Sequence, residues 1–508
     1  MKYMMSDKNI SSGKWQENAG VKKLLILALL VFSVAACRDA NTSTQAAASS
    51  PPAANAPVVA AAAETSYADV VSRVAPAVVT IHSELRVRAA QQFPFADDPL
   101  FNQLFGDRGG RAPQQQQPQR ASALGSGVIV SPDGYILTNH HVIDGAEQIK
   151  VDLNDNRTVD AKVVGSDAPS DLAVLKINVN NLPVLRLGDS ERVRVGDIAL
   201  AVGNPLGVGQ TVTMGIISAK GRSSRLSDGS FEDFLQTDAP INQGNSGGAL
   251  VNTNGELVGI NSQILSRTGG SIGIGFAIPS NMARDVMDQL IKTGKVRRGR
   301  LGVGIQAITP DIAASLGLNN TRGVLVREVE QGTPADRAGL KQGDVITALN
   351  NTPIADDNAF RNQVARTQPG TDIQLAILRN GKEQQLRATL AELTVKNAAN
   401  DQSGKDDNAS NGDTGKLGLG VQPLTPEIAQ QLNLRGVTQG LVVASVDANG
   451  PAAEAGIQQG DVILQANQQP VRSIDDLRAA VNRSGSRPTL LLVNRRGSTV
   501  FVPVSTRR

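Results

Sequence analysis

Residues 244–250 read Gly244-Asn245-Ser246-Gly247-Gly248-Ala249-Leu250. A serine hydroxyl is a weak nucleophile until a neighbouring base takes its proton. Glycines on both sides let the backbone turn tightly and aim several N–H groups at one point, where they can stabilise an oxyanion. Such a turn also occurs by chance, so its meaning depends on partners elsewhere in the chain.

The candidate partners of Ser246 are histidine and aspartate. The search for a base is short, because the chain has three histidines: His82, His140 and His141. Asp171 precedes an apolar, strand-like run, and a carboxylate there can hold an imidazole in the required tautomer. Taken alone, Asp171 is better explained as a solvated residue at a strand start. Taken together, the order His141, Asp171, Ser246 is the chain order of the chymotrypsin class.

Composition limits the classes of protein that fit. The 508 residues allow about three domains. Hydrophobic residues make up 40%, aromatic residues 3%, and there are 50 glycines, which favours small β-rich domains with many turns. The net charge of +3 does not favour a nucleic-acid partner. With one cysteine, an intramolecular disulfide and a cysteine zinc site are excluded.

Short β-type runs recur between residues 125 and 279, bounded by Gly, Asn and Asp, and predict a sandwich or barrel. Examples are Gly127–Val130, Tyr135–Thr138, Leu172–Ile177, Ile198–Val202, Thr211–Ser218 and Leu257–Asn261. Residues 281–294 predict a helix with Met282, Val286 and Leu290 on one face, ended by Gly294.

The N-terminal region predicts export. Lys22 and Lys23 precede the apolar run Leu24–Ala36. This run is too short for a membrane span, which needs about 20 apolar residues. Residues 1–36 are therefore predicted to be a signal. Val34-Ala35-Ala36-Cys37 resembles a bacterial lipobox, so Cys37 is the expected lipidation site. The alternatives are cleavage without a lipid and an uncleaved anchor.

Two polar stretches predict flexible connections, at residues 37–65 and 396–414. A third stretch, residues 89–120, contains Phe93, Phe95, Phe101 and Phe105. Since a pure linker does not need four phenylalanines, we interpret it as a long mobile loop with apolar anchors for another subunit or surface. Packing against its own domain is the alternative.

The last 210 residues or so contain a repeat. Three segments return in order: 300–306 as 416–422, 334–340 as 451–457, and 343–346 as 460–463. Because each copy spans about 90 residues, each is predicted to be a domain rather than a solenoid unit.

The segments Thr138–Val142, Ser170–Leu175 and Gly244–Leu250, followed by two PDZ-like repeats, resemble the HtrA/DegP/DegQ family of envelope serine proteases. The resemblance covers roughly residues 66–508. It implies a mainly β chain with a chymotrypsin-like double β-barrel at 66–295. It also implies α+β PDZ domains at 299–395 and 415–508.

The implied activity is ATP-independent cleavage of misfolded or unfolded proteins in the periplasm. Gly203–Gly209 and Gly269–Gly275 lack the ending of a phosphate loop, and no cofactor or metal is expected. A chaperone or holding scaffold with little proteolysis is the alternative function. A PDZ adaptor would leave residues 125–279 unexplained. The family further implies a homotrimer, with larger assemblies possible.

The resemblance also assigns site residues. It selects His141 over His140 as the base, and His82 is expected to be structural. The backbone amides of Gly244, Asn245 and Ser246 are the implied oxyanion hole. Arg222 matches an arginine on a loop that relays PDZ occupancy to the catalytic loops.

The resemblance implies specificity for small or medium aliphatic residues beside the scissile bond. Pro240 stands where trypsin has its pocket aspartate, and the candidate pocket residues are Ile241, Ile272 and Ile274. The basic run Arg297–Arg300, at the junction with the first repeat, is predicted to be a solvated linker face.

Each repeat is expected to receive an extended peptide between a strand edge and a helix. The predicted helices are Asp356–Thr367, with Phe360 and Val364 on one face, and Ile474–Asn482, with Leu477 and Val481. Two loops are expected to offer N–H groups to a C-terminal carboxylate, and their residues are Leu301, Gly302, Val303, Leu417, Gly418 and Leu419. The first repeat is the preferred site of substrate capture, and the second is assigned to assembly.

Overall fold

The structure is a computed structural model that describes residues 66–86, 120–204, 209–224, 230–242, 244–266, 270–393, 413–432, 434 and 437–505. The predicted signal, Cys37, the tether, nearly all of the loop at 89–120 and most of the linker at 396–414 lie outside these residues, so those expectations remain predictions.

Two closed barrels follow one another in the chain, as the short β-type runs predict. The first is built from β1 (Val78–Arg86), β2 (Arg120–Ile129), β3 (Tyr135–Thr138), β4 (Ala146–Asp152), β5 (Thr158–Asp167) and β6 (Leu172–Lys176). Its strand order is β1-β2-β3-β6-β5-β4. The second is built from β7 (Ile198–Gly203), β8 (Thr211–Arg222), β9 (Phe234–Thr237), β10 (Ala249–Val251), β11 (Leu257–Ile264) and β12 (Gly275–Pro279). Its order is β10-β11-β12-β9-β8-β7.

In the described part of the chain, three α-helices accompany the barrels: α1 (Ala68–Val74), α2 (His140–Ile143) and α3 (Ser280–Thr293). The helix predicted at 281–294 is confirmed, and Gly294 ends it with a φ of 71°. Its predicted apolar face, Met282, Val286 and Leu290, is buried.

One apolar cluster joins the two barrels. It contains Val128 of the first barrel, Val202 and Ile260 of the second, and Leu290 of α3. Burying one such side chain is worth about 1.5–3 kcal/mol. The barrels are therefore held in a fixed mutual position, which fixes the loops that meet at their seam.

The first repeat has a six-stranded sheet and a separate two-stranded one, packed with helices. Its elements are β13 (Gly299–Arg300), β14 (Val303–Ala307), α4 (Pro310–Leu316), β15 (Val324–Val329), α5 (Pro334–Arg337), β16 (Val345–Leu349), β17 (Thr352–Pro353), α6 (Asp357–Arg366), β18 (Asp372–Arg379), β19 (Lys382–Thr389) and β20 (Ala391–Glu392).

The second repeat has the same plan. Its elements are β21 (Asp413–Thr414), β22 (Leu419–Pro423), α7 (Pro426–Gln431), β23 (Leu441–Val446), α8 (Pro451–Glu454), β24 (Val462–Ala466), β25 (Gln469–Pro470), α9 (Ile474–Ser484), β26 (Thr489–Arg495) and β27 (Ser498–Val504). Both predicted groove helices are confirmed as α6 and α9, and their apolar faces are buried.

The repeated Gly-Asp-Val-Ile segment has a structural reason. Asp344 is buried and accepts from the Nε of Arg379 at 2.7 Å, and Asp461 accepts from Arg495 at 2.8 Å. Each aspartate thereby ties the start of one strand to the end of its neighbour in the sheet.

The two repeats share an apolar core. α4 and the first sheet contribute Ile312, Leu325 and Val345, and the second sheet contributes Leu492 and Phe501. Gln306 and Phe501 also exchange two hydrogen bonds, Nε2 to the carbonyl at 2.8 Å and backbone N–H to Oε1 at 2.9 Å. Within the described part of the chain, no helix is long and apolar enough to cross a membrane.

Candidate active site

Ser246 lies in the turn between β9 and β10, at the seam of the barrels. Ser126 of β2 holds this turn, because its backbone N–H donates to the Ser246 carbonyl at 2.8 Å and its hydroxyl to the Gly244 carbonyl at 2.6 Å. Gly247 has a φ of 82°, and a Cβ there would overlap the Ser126 carbonyl and the Thr138 hydroxyl. The glycine is thus required for the second barrel to approach the first.

His141 and Asp171 form a direct pair. His141 lies in α2, directly after β3, and its Nδ1 is 2.9 Å from both carboxylate oxygens of Asp171. The backbone N–H of His141 also donates to Oδ1 at 3.1 Å. Asp171 itself has a left-handed φ of 53° and follows a 3₁₀ turn, Ala168–Ser170. The carboxylate is thus aimed at the imidazole by a special backbone conformation.

The pair shifts the acidity of both groups. Burial lowers the pKa of His141, but the charge of the Asp171 carboxylate and its hydrogen bond outweigh burial and leave that pKa above its ordinary value. Burial raises the pKa of Asp171, and the charge and hydrogen bonds of His141, with help from Ser262, bring it below its ordinary value. The favoured state is a carboxylate beside a basic imidazole.

Ser262 links the pair to Ser246. Its hydroxyl donates to Asp171 Oδ2 at 2.8 Å, and its carbonyl accepts from the Ser246 hydroxyl at 3.0 Å. Among the described residues, this carbonyl, and not the imidazole, is the partner of the Ser246 hydroxyl. Sequence reasoning missed Ser262. Its one signal in the sequence was the polar run Asn261-Ser262-Gln263, which follows the apolar start of β11.

The predicted oxyanion hole has three amides with different roles. The N–H of Asn245 donates to the Asn242 carbonyl at 3.0 Å, so it closes the turn. Within the described residues, the amides of Gly244 and Ser246 have no such partner. Of the three predicted donors, the amides of Gly244 and Ser246 are thus the two without a backbone acceptor among the described residues.

The other two histidines lie elsewhere. His140 Nε2 is 3.8 Å from Asp144 Oδ1. His82 Nε2 is 2.6 Å from Asp152 Oδ2, a pair at the edge between β1 and β4. Of the three histidines, His141 is the one that contacts Asp171.

The candidate pocket residues have different environments. Ile241 is 1% exposed, and its side chain lies against Gly275. Ile274 packs against the core, whereas Ile272 is 61% exposed. The stretch around Ile272 does approach Ile241, because the Ser271 N–H donates to the Asn242 side chain at 3.1 Å.

Arg222 ends β8 and is exposed beside a contact between the second barrel and the first repeat. There, Asn358 of α6 donates to the carbonyls of Gly221 and Glu232, at 3.3 and 2.9 Å. The loop that carries Arg222 is therefore in contact with the predicted groove helix.

The two repeats differ at the predicted peptide edge. β14 is the last strand on its side of the first sheet in the described residues. In the second repeat, β21 covers the matching edge, with Asp413 opposite Gly420 and Thr414 opposite Leu419. Gly302 and Gly418, in the two predicted carboxylate loops, both have positive φ, 80° and 68°.

The prediction for Arg297–Arg300 is wrong for Arg298. Its side chain is 10% exposed and forms an ion pair with Asp167, which is 7% exposed. Charged side chains are seldom buried unless paired, and the run gave no sign of a partner 131 residues away.

Comparison with known families gives the class of protein. Residues 125–260 match the trypsin-like peptidase domain, and residues 299–390 and 442–495 match PDZ domains. The double barrel and the matches define a trypsin-like serine endopeptidase with two PDZ domains.

Relatives then give the family. The periplasmic serine endoprotease DegP of Salmonella typhimurium is 42% identical over 466 residues, which cover 86% of this chain and 93% of the relative. The periplasmic pH-dependent serine endoprotease DegQ of Escherichia coli is 42% identical, covering 81% and 86%. A solved HtrA-type protease, AlgW with a tripeptide, is 47% identical, with a TM-score of 0.53, covering 65% of this chain and 98% of AlgW. The chain belongs to the HtrA family of periplasmic serine endoproteases, which includes DegP and DegQ.

Proposed function

We propose that the chain cleaves unfolded or misfolded polypeptides of the periplasm without ATP, with His141, Asp171 and Ser246 as its catalytic residues. The observation that carries the proposal is the short link Ser246–Ser262–Asp171–His141, which gathers residues from both barrels at one seam. Residues that far apart in sequence have no simple structural reason to meet there.

The chemistry follows from the positions. Rotation of the Ser246 side chain away from the Ser262 carbonyl turns its hydroxyl toward attack, and His141 accepts the proton through Nε2. Asp171 stabilises the imidazolium that forms. The amides of Gly244 and Ser246 stabilise the oxyanion, and losing one such donor costs about 3–4 kcal/mol of transition-state binding. His141 then gives its proton to the leaving amine as the peptide bond breaks, which leaves the acyl group on Ser246. A water molecule that gives its proton to His141 attacks this ester, and the acid product leaves as the proton returns to the Ser246 oxygen.

The test is hydrolysis of unfolded casein by the full chain, without nucleotide, beside a stably folded protein of similar size. We expect fragments from casein only, because cleavage without ATP depends on substrates that are already unfolded. Intact casein after prolonged incubation would contradict the proposal and favour the holding scaffold.

The pocket proposal follows from Ile241. Its side chain lies against Gly275, so it would close the floor of the cleft beside Ser246. A closed apolar floor admits small or medium aliphatic side chains and excludes long or charged ones. Ile274 and Ile272 would form its rim.

For peptide capture, the edge of β14, which no other strand of the described residues covers, favours the first PDZ domain (PDZ1, residues 299–395) over the second (PDZ2, residues 415–508). An extended peptide adds to a free strand edge through main-chain hydrogen bonds, and β21 already covers the edge of β22. The loop Leu301–Val303 would receive the terminal carboxylate in PDZ1. In PDZ2, β21 would have to leave the edge of β22 before the loop Leu417–Leu419 could receive a carboxylate in the same way.

This difference gives a matched pair of substitutions. Gly302→Ala should weaken binding of an apolar C-terminal peptide by about tenfold or more, because a Cβ at positive φ is strained and would overlap Thr333. Gly418→Ala, the same change in PDZ2, should leave the affinity within about twofold. Fluorescence anisotropy with a labelled peptide measures both, and equal losses would argue against capture by PDZ1.

The remaining proposals concern placement in the cell. We propose that residues 1–36 are a signal and that lipidation of Cys37 anchors the chain to a membrane. We also keep the domain bounds of 66–295, 299–395 and 415–508. We also propose assembly into homotrimers or larger assemblies, and regulation through Arg222, on the support of the family resemblance. The intact mass of protein extracted from membranes should exceed the mass of the chain from residue 37 by that of the lipid, and an unmodified Cys37 would refute the anchor.

A further inference from the structure

Ser126 gives two hydrogen bonds to the turn that carries Ser246, and both end on backbone carbonyls. Its N–H donates to the Ser246 carbonyl at 2.8 Å, and its hydroxyl donates to the Gly244 carbonyl at 2.6 Å. These two carbonyls lie on either side of Asn245. One residue of the first barrel therefore holds both ends of the segment that carries the proposed oxyanion donors, the N–H groups of Gly244 and Ser246.

The peptide unit between Gly244 and Asn245 is held at both of its polar atoms. Its oxygen accepts from the Ser126 hydroxyl, and its N–H donates to the Asn242 carbonyl at 3.0 Å. The next carbonyl, that of Asn245, accepts from the Gly248 N–H at 2.9 Å. Since a peptide unit is planar, holding both polar atoms fixes the whole plane. The direction of the Gly244 N–H then depends on the torsions of Gly244 alone, whose φ of 94° suits a glycine.

The Ser126 hydroxyl also accepts a hydrogen bond, and this one comes from the second barrel. Asn204, directly after β7, donates its backbone N–H to the hydroxyl oxygen at 2.9 Å. The side chain of Asn204 is itself held, because its Nδ2 donates to the Thr80 hydroxyl at 2.5 Å and its Oδ1 accepts from the Gly209 N–H at 3.0 Å. A hydroxyl that accepts while it donates is polarised, which strengthens the bond that it gives to Gly244.

The position of Ser126 explains why its hydroxyl is hard to replace. The residue is 0% exposed and stands between two glycines of β2. A Cβ at Gly125 would overlap Val142, so the neighbouring position cannot supply a side chain of its own. Without the hydroxyl, the buried Gly244 carbonyl would lose its donor, and an unsatisfied buried acceptor is costly. The peptide unit that follows Gly244 would then turn toward another donor.

The acceptor distinguishes Ser126 from an ordinary buried serine. Ser280, also 0% exposed, donates its hydroxyl to the Gly188 carbonyl at 3.0 Å, at the start of α3. That bond is not part of the hydrogen-bonded link from Ser246 to His141. The bond from Ser126 ends instead on the peptide between the two proposed oxyanion donors. A misplacement of about 1 Å in an active site can cost about 100-fold in rate, so a small movement here matters for catalysis.

We propose that Ser126 is a positioning residue that orients the oxyanion hole: its hydroxyl fixes the Gly244–Asn245 peptide so that the N–H groups of Gly244 and Ser246 converge on the oxygen of the attacked carbonyl. The inference rests on the proposed function and adds to it the group that holds the two donors in place. It predicts a defect confined to the tetrahedral state, with native binding of the substrate and a native acid–base pair.

The primary test is Ser126→Ala, which removes the hydroxyl and keeps the N–H bond to Ser246. In casein hydrolysis, kcat should fall about tenfold to a hundredfold, at or below the loss caused by removing a whole oxyanion donor, and KM should stay within about twofold. The acid limb of kcat/KM should stay in place, because the bonds of this hydroxyl end on the turn and on the residue after β7 and not on the His141–Asp171 pair. A shifted acid limb would mean an effect on the base and would contradict the proposal.

A pair of inhibitors separates the oxyanion hole from general damage. With a short apolar peptide that ends in an aldehyde, the Ser246 oxygen adds to the aldehyde carbon, its proton passes to His141, and the aldehyde oxygen becomes an oxyanion. The alcohol of the same sequence has no carbonyl to attack. In Ser126→Ala the inhibition constant of the aldehyde should rise by about the factor by which kcat falls, and that of the alcohol should stay within about twofold. Equal losses for the two inhibitors, or an unchanged constant for the aldehyde, would overturn the proposal.

Ser280→Ala is the matched control, since it also removes one buried bond from a serine hydroxyl to a glycine carbonyl. We expect native kcat and native inhibition by both peptides. If Ser126→Ala matches this control in kcat and in aldehyde inhibition, the positioning role is wrong.

Ser126→Cys decides the question if the alanine variant does not fold. The thiol has nearly the shape of the hydroxyl but is a weak donor and a weak acceptor. We expect a folded protein with smaller losses of the same sign in kcat and in aldehyde affinity, and an unchanged affinity for the alcohol. Native values of kcat and aldehyde affinity would then overturn the proposal.

The two proposals fail in different ways. If the native chain leaves casein intact and binds the aldehyde no more tightly than the alcohol, the proposed function fails. If the native chain cleaves casein and prefers the aldehyde, but Ser126→Ala does both equally well, only the positioning inference fails.

Discussion

Ser246→Ala should reduce casein hydrolysis by about 10⁶-fold, the loss seen when the nucleophile of such a unit is removed. Without the Ser246 hydroxyl, His141 and Asp171 have no nucleophile to activate. The measurement is release of labelled peptides over time, with the variant's folding checked by circular dichroism. Ser315→Ala, a serine whose hydroxyl bonds Asp311 within α4 of PDZ1, is the control and should retain full activity.

Equal cleavage by the Ser246 variant and the native chain would refute the catalytic assignment. The variant also separates the two candidate functions. If it still prevents aggregation of unfolded casein, holding is an activity of its own that does not need the nucleophile.

Asp171→Asn should lower kcat by about 10⁴-fold at neutral pH. The carboxylate accepts the Nδ1–H of His141 at 2.9 Å, and also the Ser262 hydroxyl at 2.8 Å. Asparagine has one acceptor oxygen and one N–H₂ group in place of the two acceptor oxygens of aspartate. If its oxygen accepts from Ser262, its N–H₂ group faces Nδ1 of His141. The imidazole is then favoured in the wrong tautomer, with Nε2 protonated and unable to act as base.

The same variant should change the pH dependence in a definite direction. Activity requires neutral His141, so kcat/KM rises as pH passes through its pKa. In the native chain the charge of Asp171 holds that pKa above its ordinary value. Without the charge, burial alone acts and lowers it, so the acid limb of the profile should move to lower pH.

Asp152→Asn is the matched control for this change. Asp152 also pairs with a histidine, His82, at 2.6 Å, but this pair is not part of the hydrogen-bonded link from Ser246 to His141. We expect unchanged kcat and an unchanged acid limb. A shift of the acid limb to higher pH in the Asp171 variant would contradict the assigned role of the carboxylate.

The parts of the site that the sequence predicts are those with a local signature. The glycines around Ser246 predict a tight turn, and the apolar run after Asp171 predicts a strand. The family resemblance, which distinguished His141 from His140, agrees with the pair that the structure forms. The repeats predicted two domains of the same plan because each copy carries its own turn glycines and buried aspartate.

The parts that the sequence did not predict depend on contacts between distant segments. Ser262 lies within a strand, and only the closure of the second barrel brings it to Asp171. Arg298 looks like one cation in a basic run, and its burial is decided by Asp167 of the first barrel. The pairing of β21 with β22 could not be predicted, because Asp413 and Thr414 have the composition of a solvated linker.

The apolar core shared by the PDZ domains has a practical consequence for dissecting this enzyme. A chain shortened after residue 393 would leave Ile312, Leu325 and Val345 facing water where Leu492 and Phe501 now cover them. Such a truncation removes the second PDZ domain and also exposes the apolar surface of the first. Aggregation of the shortened chain would then result from this exposed surface and not from a lost binding activity. Point substitutions in the intact tandem are therefore the sounder way to assign roles to either half.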